Sequence, residues 1–336
     1  MILAGDIGGT KTVLALYHPS DQSLTEPIRE QVFPSRQYPE FGPLLEEFLN
    51  QGPRPKIHAA CIGVAGPVIA GRCQTTNLPW TLDEHDLADE MGTSAVRLFN
   101  DVEAAAYGMT FLQEDELCLL TTASTKVRPG HAVLLAAGTG LGQATLCWDG
   151  RDYHPMASEG GHADFAAQSD QEVELLRYLR AKYGHVSYER VLSGPGFVNI
   201  YAFLRDTGYA EEPLWLKDRI QLGDPAAVIT TVGLAGDHPL CTETLSLFAR
   251  LYGAAAGNLA LQAFALGGVF IGGGIAPKIL KKLQDGEFLR AFMQKGRYES
   301  FLKSVRVRVA LNPKAPLIGA ARYAGRLAQV GAARAS

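Results

Sequence analysis

An acidic residue followed by a pair of glycines is the first feature of this chain with the chemistry of a ligand site. Asp6 ends a short apolar run, and Gly8, Gly9, Thr10 and Lys11 follow it. Glycines permit a tight turn, and consecutive backbone N–H groups in such a turn form a concave site for anions such as phosphate. A carboxylate beside bound phosphate needs an intervening cation, so Asp6 is a candidate ligand of Mg²⁺, directly or through water. The alternative is an ordinary glycine hairpin without a ligand.

This turn does not match the P-loop of nucleotide-binding proteins. A P-loop requires a glycine immediately before its lysine, whereas Thr10 precedes Lys11 here. The apolar residues on both sides of the turn predict two strands, over 2–6 and 12–17, where a P-loop needs a strand and then a helix. We therefore expect a phosphate-binding hairpin of another kind.

A second glycine turn repeats this arrangement about one domain later. Residues 131–147 run from an apolar stretch through glycines at 138, 140 and 142 into a second apolar stretch, which predicts strand, turn and strand. Gln143 stands where the dinucleotide fingerprint GxGxxG needs its last glycine, and that fingerprint opens a helix. Two such hairpins indicate a duplicated architecture in which each half supplies one phosphate-binding turn.

The pair Asn100–Asp101 follows an apolar stretch, 95–99, that predicts a strand, and it precedes a helical pattern through Glu103. In α/β folds ligands bind near the carboxyl ends of strands, so a carboxylate here is a candidate general base for a substrate hydroxyl. The alternative is structural, because Asp and Asn are also preferred at the start of a helix.

Further polar residues have the types and spacing to recognise a hydroxyl-rich ligand. Glu159 and His162 flank a glycine pair, where two directional side chains can bind neighbouring hydroxyls; the alternative is a solvated surface turn. Zinc is disfavoured here, because the HExxH spacing on a helix is absent. Glu189 opens the string Glu-Arg-Val-Leu-Ser-Gly-Pro-Gly over 189–196 and is either a ligand-binding acid or a surface residue paired with Arg190.

The elements that must position these residues form an alternating α/β pattern. Apolar runs predict further strands over 57–64, 70–76, 269–271 and 305–311, the last with arginines on one solvated face. Helical periodicity and capping residues predict helices over 83–91, 170–183, 194–206, 223–234, 240–265 and 316–330, and one that begins at Pro277. The turn 272–274 is either a nucleotide contact or a tight connection from strand to helix.

Composition limits the classes of protein that this chain can be. Its 336 residues fit two domains, and a hydrophobic fraction of 47% can build large cores. The net charge of −4 gives no basic excess, so we expect neither nucleic acid nor a membrane surface as a partner. The apolar region 251–275 is interrupted by glycines and polar residues, which predicts a buried helix and strand rather than a membrane span. Five dispersed cysteines predict reduced thiols in the cytoplasm.

In this order the motifs resemble those of bacterial ATP-dependent glucokinases, in the superfamily of hexokinase, actin and Hsp70. The resemblance covers residues 3 to about 325, and Glu159-Gly-Gly-His162 and the string 189–196 carry it most specifically. It implies an α/β fold of two actin-like (ribonuclease H-like) lobes with duplicated mixed sheets and a cleft between them. The implied small lobe is 1–111 completed by a helix over 317–336, and the implied large lobe is 112–316.

The resemblance implies transfer of the γ-phosphate of ATP to the 6-hydroxyl of D-glucose. Asp101 is the implied catalytic base, and the implied glucose ligands are Asn100, Asp101, Glu159, His162 and Glu189. The implied residues for ATP and Mg²⁺ are Asp6 as the metal ligand, with Gly8, Gly9, Thr10, Gly138, Thr139, Gly140, Gly273 and Gly274. Lys11 replaces the asparagine of several relatives and is a further candidate phosphate contact.

Alternatives to this function remain open. They are a kinase for mannose, fructose or N-acetylmannosamine, a non-kinase ATPase or phosphatase, and a sugar-sensing regulatory protein. The zinc cluster Cys-x-Cys-Gly-x-x-Gly-Cys of the related repressor–kinase family is absent. No DNA-binding segment precedes the first hairpin, so we do not expect a repressor. The resemblance further implies a homodimer in the cytoplasm.

Overall fold

The computed structural model describes residues 1–21, 23–24, 26–121 and 128–335, with side chains as far as residue 331. These residues group into two compact units. The first comprises Met1–Gln113, Tyr153–Ala157 and Asn312–Ser336, and the second comprises Glu114–Asp152 and Ser158–Leu311. The C-terminal segment therefore belongs to the same unit as the N-terminal hairpin.

The regular elements of the described residues follow one another along the chain. The strands are β1 (Ile2–Ile7), β2 (Lys11–Tyr17), β3 (Arg29–Pro34), β4 (Ala59–Val64), β5 (Val68–Ile69), β6 (Arg72–Gln74), β7 (Thr81–Asp83), β8 (Val96–Asn100), β9 (Leu117–Leu119), β10 (Ala132–Ala137), β11 (Leu141–Trp148), β12 (Tyr153–Ser158), β13 (Gly268–Gly272) and β14 (Val307–Ala310). The α-helices are α1 (Phe41–Leu49), α2 (Glu84–Met91), α3 (Asp101–Met109), α4 (Asp170–Tyr183), α5 (Gly194–Asp206), α6 (Leu214–Leu222), α7 (Pro225–Ala235), α8 (Pro239–Gln262), α9 (Leu280–Leu283), α10 (Glu287–Met293), α11 (Glu299–Lys303) and α12 (Ala315–Ala335). Short 3₁₀ turns cover Ser35–Gln37, Glu114–Glu116, Gly160–His162, Tyr188–Arg190 and Gly296–Tyr298.

The first unit contains a mixed sheet in the order β3-β2-β1-β4-β8 and a small antiparallel sheet β5-β6-β7. β1, β2 and β3 are antiparallel neighbours, whereas β4 lies parallel to both β1 and β8. Every residue of β4 is buried, as expected for the centre of a sheet with both faces covered. The carboxyl ends of β1, β4 and β8 therefore share one edge of the sheet.

The helix that carries Asp101 is fixed by close packing against the C-terminal helix. A Cβ at Gly108 of α3 would lie 1.9 Å from the carbonyl oxygen of Ala315, and one at Gly319 of α12 would lie 1.9 Å from that of Ala104. Only glycine permits the two backbones to approach this closely. The packing against the C-terminal helix thus fixes the position of α3 at the edge of the sheet.

The second unit repeats this plan on a larger scale. Its sheet runs in the order β11-β10-β13-β14-β9, with an antiparallel hairpin β10–β11 and with β13 parallel to both β10 and β14. The core includes the aromatic pair Phe197 of α5 and Phe248 of α8, stacked with ring centroids 4.0 Å apart. The predicted repeat of strand, glycine turn and strand is confirmed.

Several predicted elements are confirmed and others are wrong. Helices 170–183 and 194–206 have the predicted limits. The predicted strand 70–76 is confirmed only as the shorter β6, Arg72–Gln74, because Ala70 and Gly71 both adopt positive φ and reverse the chain between β5 and β6. No helix begins at Pro277: turns continue through residue 279, and α9 starts at Leu280. The sequence did not predict β3, α1 or α6.

Chain-wide features bear on the predicted partners. Over the residues that the structure describes, no helix is both long and apolar enough to span a bilayer. The five cysteines are free thiols. Within the described ranges, no three His, Cys, Asp or Glu side chains cluster as a metal site would require.

Candidate active site

In the first unit the structure brings Asp6 and Asp101 to the same edge of the sheet. Asp6 of β1 pairs with Gly63 of β4, and the next residue of β4, Val64, pairs with Asn100 of β8. A Cβ at Gly63 would lie 3.8 Å from the Cα of Asp101 and 3.1 Å from the Cβ of Ala104. The missing side chain lets the start of α3 settle against the sheet, close to Asp6.

The charge of Asp101 acts on Asp6. Burial and, to a smaller extent, the carboxylate of Asp101 raise the pKa of Asp6 to about 6, against the opposing effect of Lys11. A half-buried carboxylate with a second one nearby gains more from a cation than an isolated surface acid does. The pair therefore suits a divalent cation or a proton donor between its members.

Asn100 has a structural role as well as its predicted one. Its side-chain oxygen accepts from the Val102 N–H at 3.0 Å, its amide donates to the carbonyl of Gly66 at 3.0 Å, and Glu103 accepts from the Asn100 N–H at 3.3 Å. This reciprocal cap confirms the alternative of a helix start. The side-chain amide of Asn100 carries two N–H donors, and the bond to Gly66 uses one of them.

The first glycine turn requires glycine for space rather than for backbone conformation. The Gly8 N–H donates to the Lys11 carbonyl at 2.9 Å, which closes the turn between β1 and β2. Neither Gly8 nor Gly9 has a positive φ. A Cβ at Gly9 would instead lie 2.7 Å from the Cβ of Asn77, a contact that real side chains do not make. The loop before β7 thus packs against this hairpin.

Ser35, which the sequence analysis did not identify, stabilises the same turn through hydrogen bonds. It is fully buried, as is Thr12. The Ser35 hydroxyl donates to the Gly8 carbonyl at 2.8 Å and lies 2.9 Å from the Thr12 hydroxyl, while the Ser35 N–H donates to the Thr10 carbonyl at 3.1 Å. Small hydroxyl residues in an apolar setting were the only sequence signal.

In the second unit Glu189 supports the turn between β10 and β11. One carboxylate oxygen accepts from the Leu141 N–H at 3.0 Å, and a Cβ at Gly140 would lie 2.5 Å from that oxygen. The Gly138 carbonyl accepts from the Gly194 N–H at 2.9 Å. The alternative was an ion pair between Glu189 and Arg190. The Arg190 guanidinium instead packs over Tyr183, 4.2 Å from the ring centroid.

The segment Glu159–His162 packs on the same hairpin. A Cβ at Gly160 would lie 2.3 Å from the side-chain oxygen of Gln143, and one at Gly161 would lie 2.0 Å from the Leu141 carbonyl. The glycine pair therefore lets this segment approach β11, which holds Glu159 and His162 beside the turn. Both side chains are about two-thirds exposed and 4.0 Å apart at their closest atoms.

The turn after β13 adjoins the hairpin as well. Gly273 has a φ of 80°, and a Cβ there would lie 2.2 Å from the carbonyl oxygen of Ala137, the last residue of β10. The same carbonyl accepts from the Ile275 N–H at 3.2 Å. A Cβ at Gly274 or Gly138 would meet no atom within 4 Å. The two predicted nucleotide segments of this unit are therefore neighbours.

The structure thus collects the predicted residues into two groups, one in each unit. The first contains Asp6, the turn 8–10 and the pair Asn100–Asp101. The second contains the turn 138–140, Glu159, His162 and Glu189, and the turn 273–274. The repeated hairpin with parallel strands beside it defines a class of protein, the actin-like α/β nucleotide-binding fold.

Solved structures agree with this class. The structure resembles the crystal structure of a glucokinase from an Antarctic psychrotroph, with a TM-score of 0.84 and 32% identity, over 97% of this chain and 98% of that one. It also resembles the glucokinase of Balamuthia mandrillaris in complex with glucose, with a TM-score of 0.77 over 96% and 93% of the two chains; the identity of 21% shows the fold alone. The predicted fold class is confirmed.

The sequence identifies the family. The glucokinase family profile matches residues 3–327. The glucokinase of Nostoc punctiforme is 42% identical over 341 aligned residues, which cover 97% of this chain and 99% of that protein. The chain belongs to the glucokinase family, and the predicted enzyme class, an ATP-dependent hexose kinase, is confirmed.

Proposed function

We propose that this chain transfers the γ-phosphate of ATP to the 6-hydroxyl of D-glucose, giving glucose 6-phosphate and ADP, with Asp101 as the catalytic base. The observation that carries the proposal is the position of Asp101 at the carboxyl end of β8, close enough to Asp6 to raise the pKa of that acid. Membership of the glucokinase family supports the reaction. The 42% identity to the glucokinase of Nostoc punctiforme supports the choice of sugar.

In the proposed reaction Asp101 removes one proton. Its carboxylate accepts the proton of the 6-hydroxyl while O6 bonds to the γ-phosphorus and the bond from that phosphorus to the bridging oxygen of ADP breaks. Asp101 is the first residue of α3, and one of its carboxylate oxygens accepts from the Val102 N–H at 2.9 Å. The positive end of a helix favours the charged form of a base placed there. A positioned base of this kind contributes roughly 10²–10⁴-fold to the rate.

The other proposed sugar ligands each keep an atom for a hydroxyl. Asn100 has one amide hydrogen beyond its bond to the Gly66 carbonyl, and Glu189 has one carboxylate oxygen besides the one that accepts from Leu141. Glu159 and His162 are mostly exposed and adjoin the same hairpin as Glu189. A site built from such directional groups rejects analogues that leave them unpaired.

The proposed nucleotide contacts are the turn 8–10 of the first unit and the turns 138–140 and 273–274 of the second unit, with Lys11 as a further phosphate contact. Asp6 fits Mg²⁺ in its donor type and in its electrostatics, because Mg²⁺ is usually held by one or two carboxylates together with substrate phosphates. When bound, Mg²⁺ neutralises charge that develops on the transferred phosphoryl group. The backbone N–H groups of the turns orient the phosphates.

The proposal extends to organisation and place in the cell. We infer lobes of 1–111 with 317–336 and of 112–316, a homodimer, and a cytoplasmic location. The return of Asn312–Ser336 to the first unit supports the use of the C-terminal helix in the small lobe. The five free cysteines support a reducing compartment.

The test is ADP release from Mg-ATP across a panel of glucose, mannose, fructose and N-acetylmannosamine, with Asp101→Asn beside the wild-type chain. Asn keeps the shape of the side chain and removes the base, so we expect glucose-dependent turnover to fall at least about 100-fold. Asp86→Asn, on the exposed side of α2, is the matched control and should leave turnover unchanged.

Each other outcome refutes a different part of the proposal. Turnover with another sugar alone would change the substrate and keep the mechanism. ADP release without sugar dependence would refute kinase activity, and an Asp101→Asn variant as active as wild type would refute the assigned base.

A further inference from the structure

Tyr252 of α8 is a buried tyrosine whose hydroxyl contacts two strands at once. Its side chain is fully buried. The hydroxyl lies 3.1 Å from the carbonyl oxygen of Leu135 and 3.3 Å from that of Gly272, both as acceptors, and it accepts from the Ala137 N–H at 3.3 Å. Burial raises the pKa of the phenol above its usual value, so the hydroxyl keeps its proton.

These contacts lie where the ladder between β10 and β13 ends. Paired residues in that ladder run as far as Ala136 and Gly272. Beyond this point β10 leads into the turn 138–140, and β13 leads into the turn 273–274. There the tyrosine hydroxyl accepts from the N–H of Ala137, a fully buried residue, and so supplies the kind of partner that backbone groups in a core require.

The ring of Tyr252 is held so that the hydroxyl cannot move away easily. It packs edge-on against Phe248 at 5.7 Å and Phe288 at 5.8 Å between ring centroids. The next residue, Gly253, lets α8 approach α10 so closely that a Cβ would lie 2.1 Å from the Phe288 carbonyl. The position of the hydroxyl is therefore set by packing in the core and not by either turn.

We propose that Tyr252 is a positioning residue of the nucleotide site, which sets the spacing between the turn 138–140 and the turn 273–274. This inference rests on the proposed function, because it requires both turns to contact ATP. Without the hydroxyl, β10 and β13 lose their common partner, and the two turns no longer present their backbone groups in one geometry. Preorganised groups bind more tightly than groups that must be ordered on binding.

The experiment compares Tyr252→Phe with Tyr201→Phe. Tyr201 is also buried, and its hydroxyl donates to Glu212 at 2.7 Å away from both turns, so the control removes the same atom and one strong hydrogen bond. For Tyr252→Phe we expect the KM for ATP and the Kd for ADP to rise on the order of tenfold, the effect of one lost buried hydrogen bond, with the KM for glucose within twofold of wild type. Tyr201→Phe should lower Tm and leave both nucleotide constants unchanged.

The outcomes separate this inference from the proposed function. A wild-type chain that neither binds ADP nor phosphorylates glucose would refute the proposed function itself. An active wild type with unchanged ADP affinity in Tyr252→Phe, or equal losses in both variants, would overturn the role of Tyr252. Should Tyr252→Phe not fold, hydrogen exchange of the wild type decides: ADP should slow exchange of the Ala137 amide, and exchange unaffected by ADP would overturn the inference.

Discussion

Removing the hydroxyl of Ser35 should loosen the turn 8–10, the first of the proposed phosphate-binding turns. Ser35→Ala keeps the bond from the residue 35 N–H to the Thr10 carbonyl but deletes the bond to the Gly8 carbonyl and the partner of the Thr12 hydroxyl. Both Ser35 and Thr12 are fully buried, so water does not replace the lost partner. A buried polar group stripped of its partner costs about 1–3 kcal/mol.

The expected loss for Ser35→Ala is about 2 kcal/mol of unfolding free energy, because one hydrogen bond disappears and one buried hydroxyl loses its partner. In a unit of this size that corresponds to a fall in Tm of about 4–8 °C. Thr12→Val removes only the second hydroxyl and leaves the bond from Ser35 to Gly8, so it should cost about 1 kcal/mol. The double variant should cost less than the sum of the two, because the groups share one bond.

Scanning calorimetry measures stability, and steady-state kinetics measures whether the turn is the part affected. We expect the KM for ATP to rise in Ser35→Ala while the KM for glucose stays constant. Thr244→Val is the control, since Thr244 is also fully buried but donates within its own helix, to the Leu240 carbonyl. Equal changes in the KM for ATP in Ser35→Ala and Thr244→Val, or no change in either, would show that Ser35 stabilises the fold without shaping the turn.

Further substitutions test the second turn, the sugar site and one buried acid. Gly273→Ala should cost on the order of 2–4 kcal/mol through strained φ and a clash with a carbonyl oxygen, whereas Gly138→Ala should change Tm by less than about 2 °C and yet raise the KM for ATP. Glu189→Gln keeps an oxygen that accepts from Leu141, so we expect the KM for glucose to rise and the KM for ATP to stay constant; a rise in both would show that the hairpin has moved. Burial raises the pKa of Glu103 from 4.5 to about 7, so its contribution to stability is full below pH 4.5 and is lost as the pH rises through 7. Glu103→Gln should therefore be more stable than wild type at pH 8 in urea unfolding and equal to it at pH 4; a constant difference across this range would contradict the shift.

Local sequence was enough to predict the two hairpins and the placement of Asn100–Asp101 at the end of a strand. Glycines between apolar runs predict a turn between strands, and an acid at the end of such a run predicts the edge of a sheet. The order of the motifs then identified the family over almost the whole chain. These features could be predicted because each depends on residues that are close together in sequence.

Contacts between distant segments were not predictable in this way. The strand predicted over 305–311 is β14, and its partner β9 lies far earlier in the chain. The alternation in 305–311 also predicted that the arginines of this strand are solvated. The Arg308 guanidinium lies 4.1 Å from the ring centroid of Phe270 on the neighbouring strand, and it donates to the Gly267 carbonyl at 3.1 Å. The prediction of a solvated face is therefore wrong, because a long side chain can bury its stem and planar head against a neighbour.

The glycines of the candidate site divide into two kinds, and the division bears on function. At Gly9, Gly161 and Gly273 a Cβ would collide with the Cβ of Asn77 or with a backbone carbonyl oxygen, so the protein itself requires glycine there. At Gly138 and Gly274 no atom lies within 4 Å of a Cβ and φ is not positive, so neither packing nor backbone strain accounts for the missing side chain. Glycine also serves where a ligand must approach the backbone closely. We therefore expect glycine at these two positions, on neighbouring turns of the second unit, to serve the close approach of the proposed nucleotide rather than the fold.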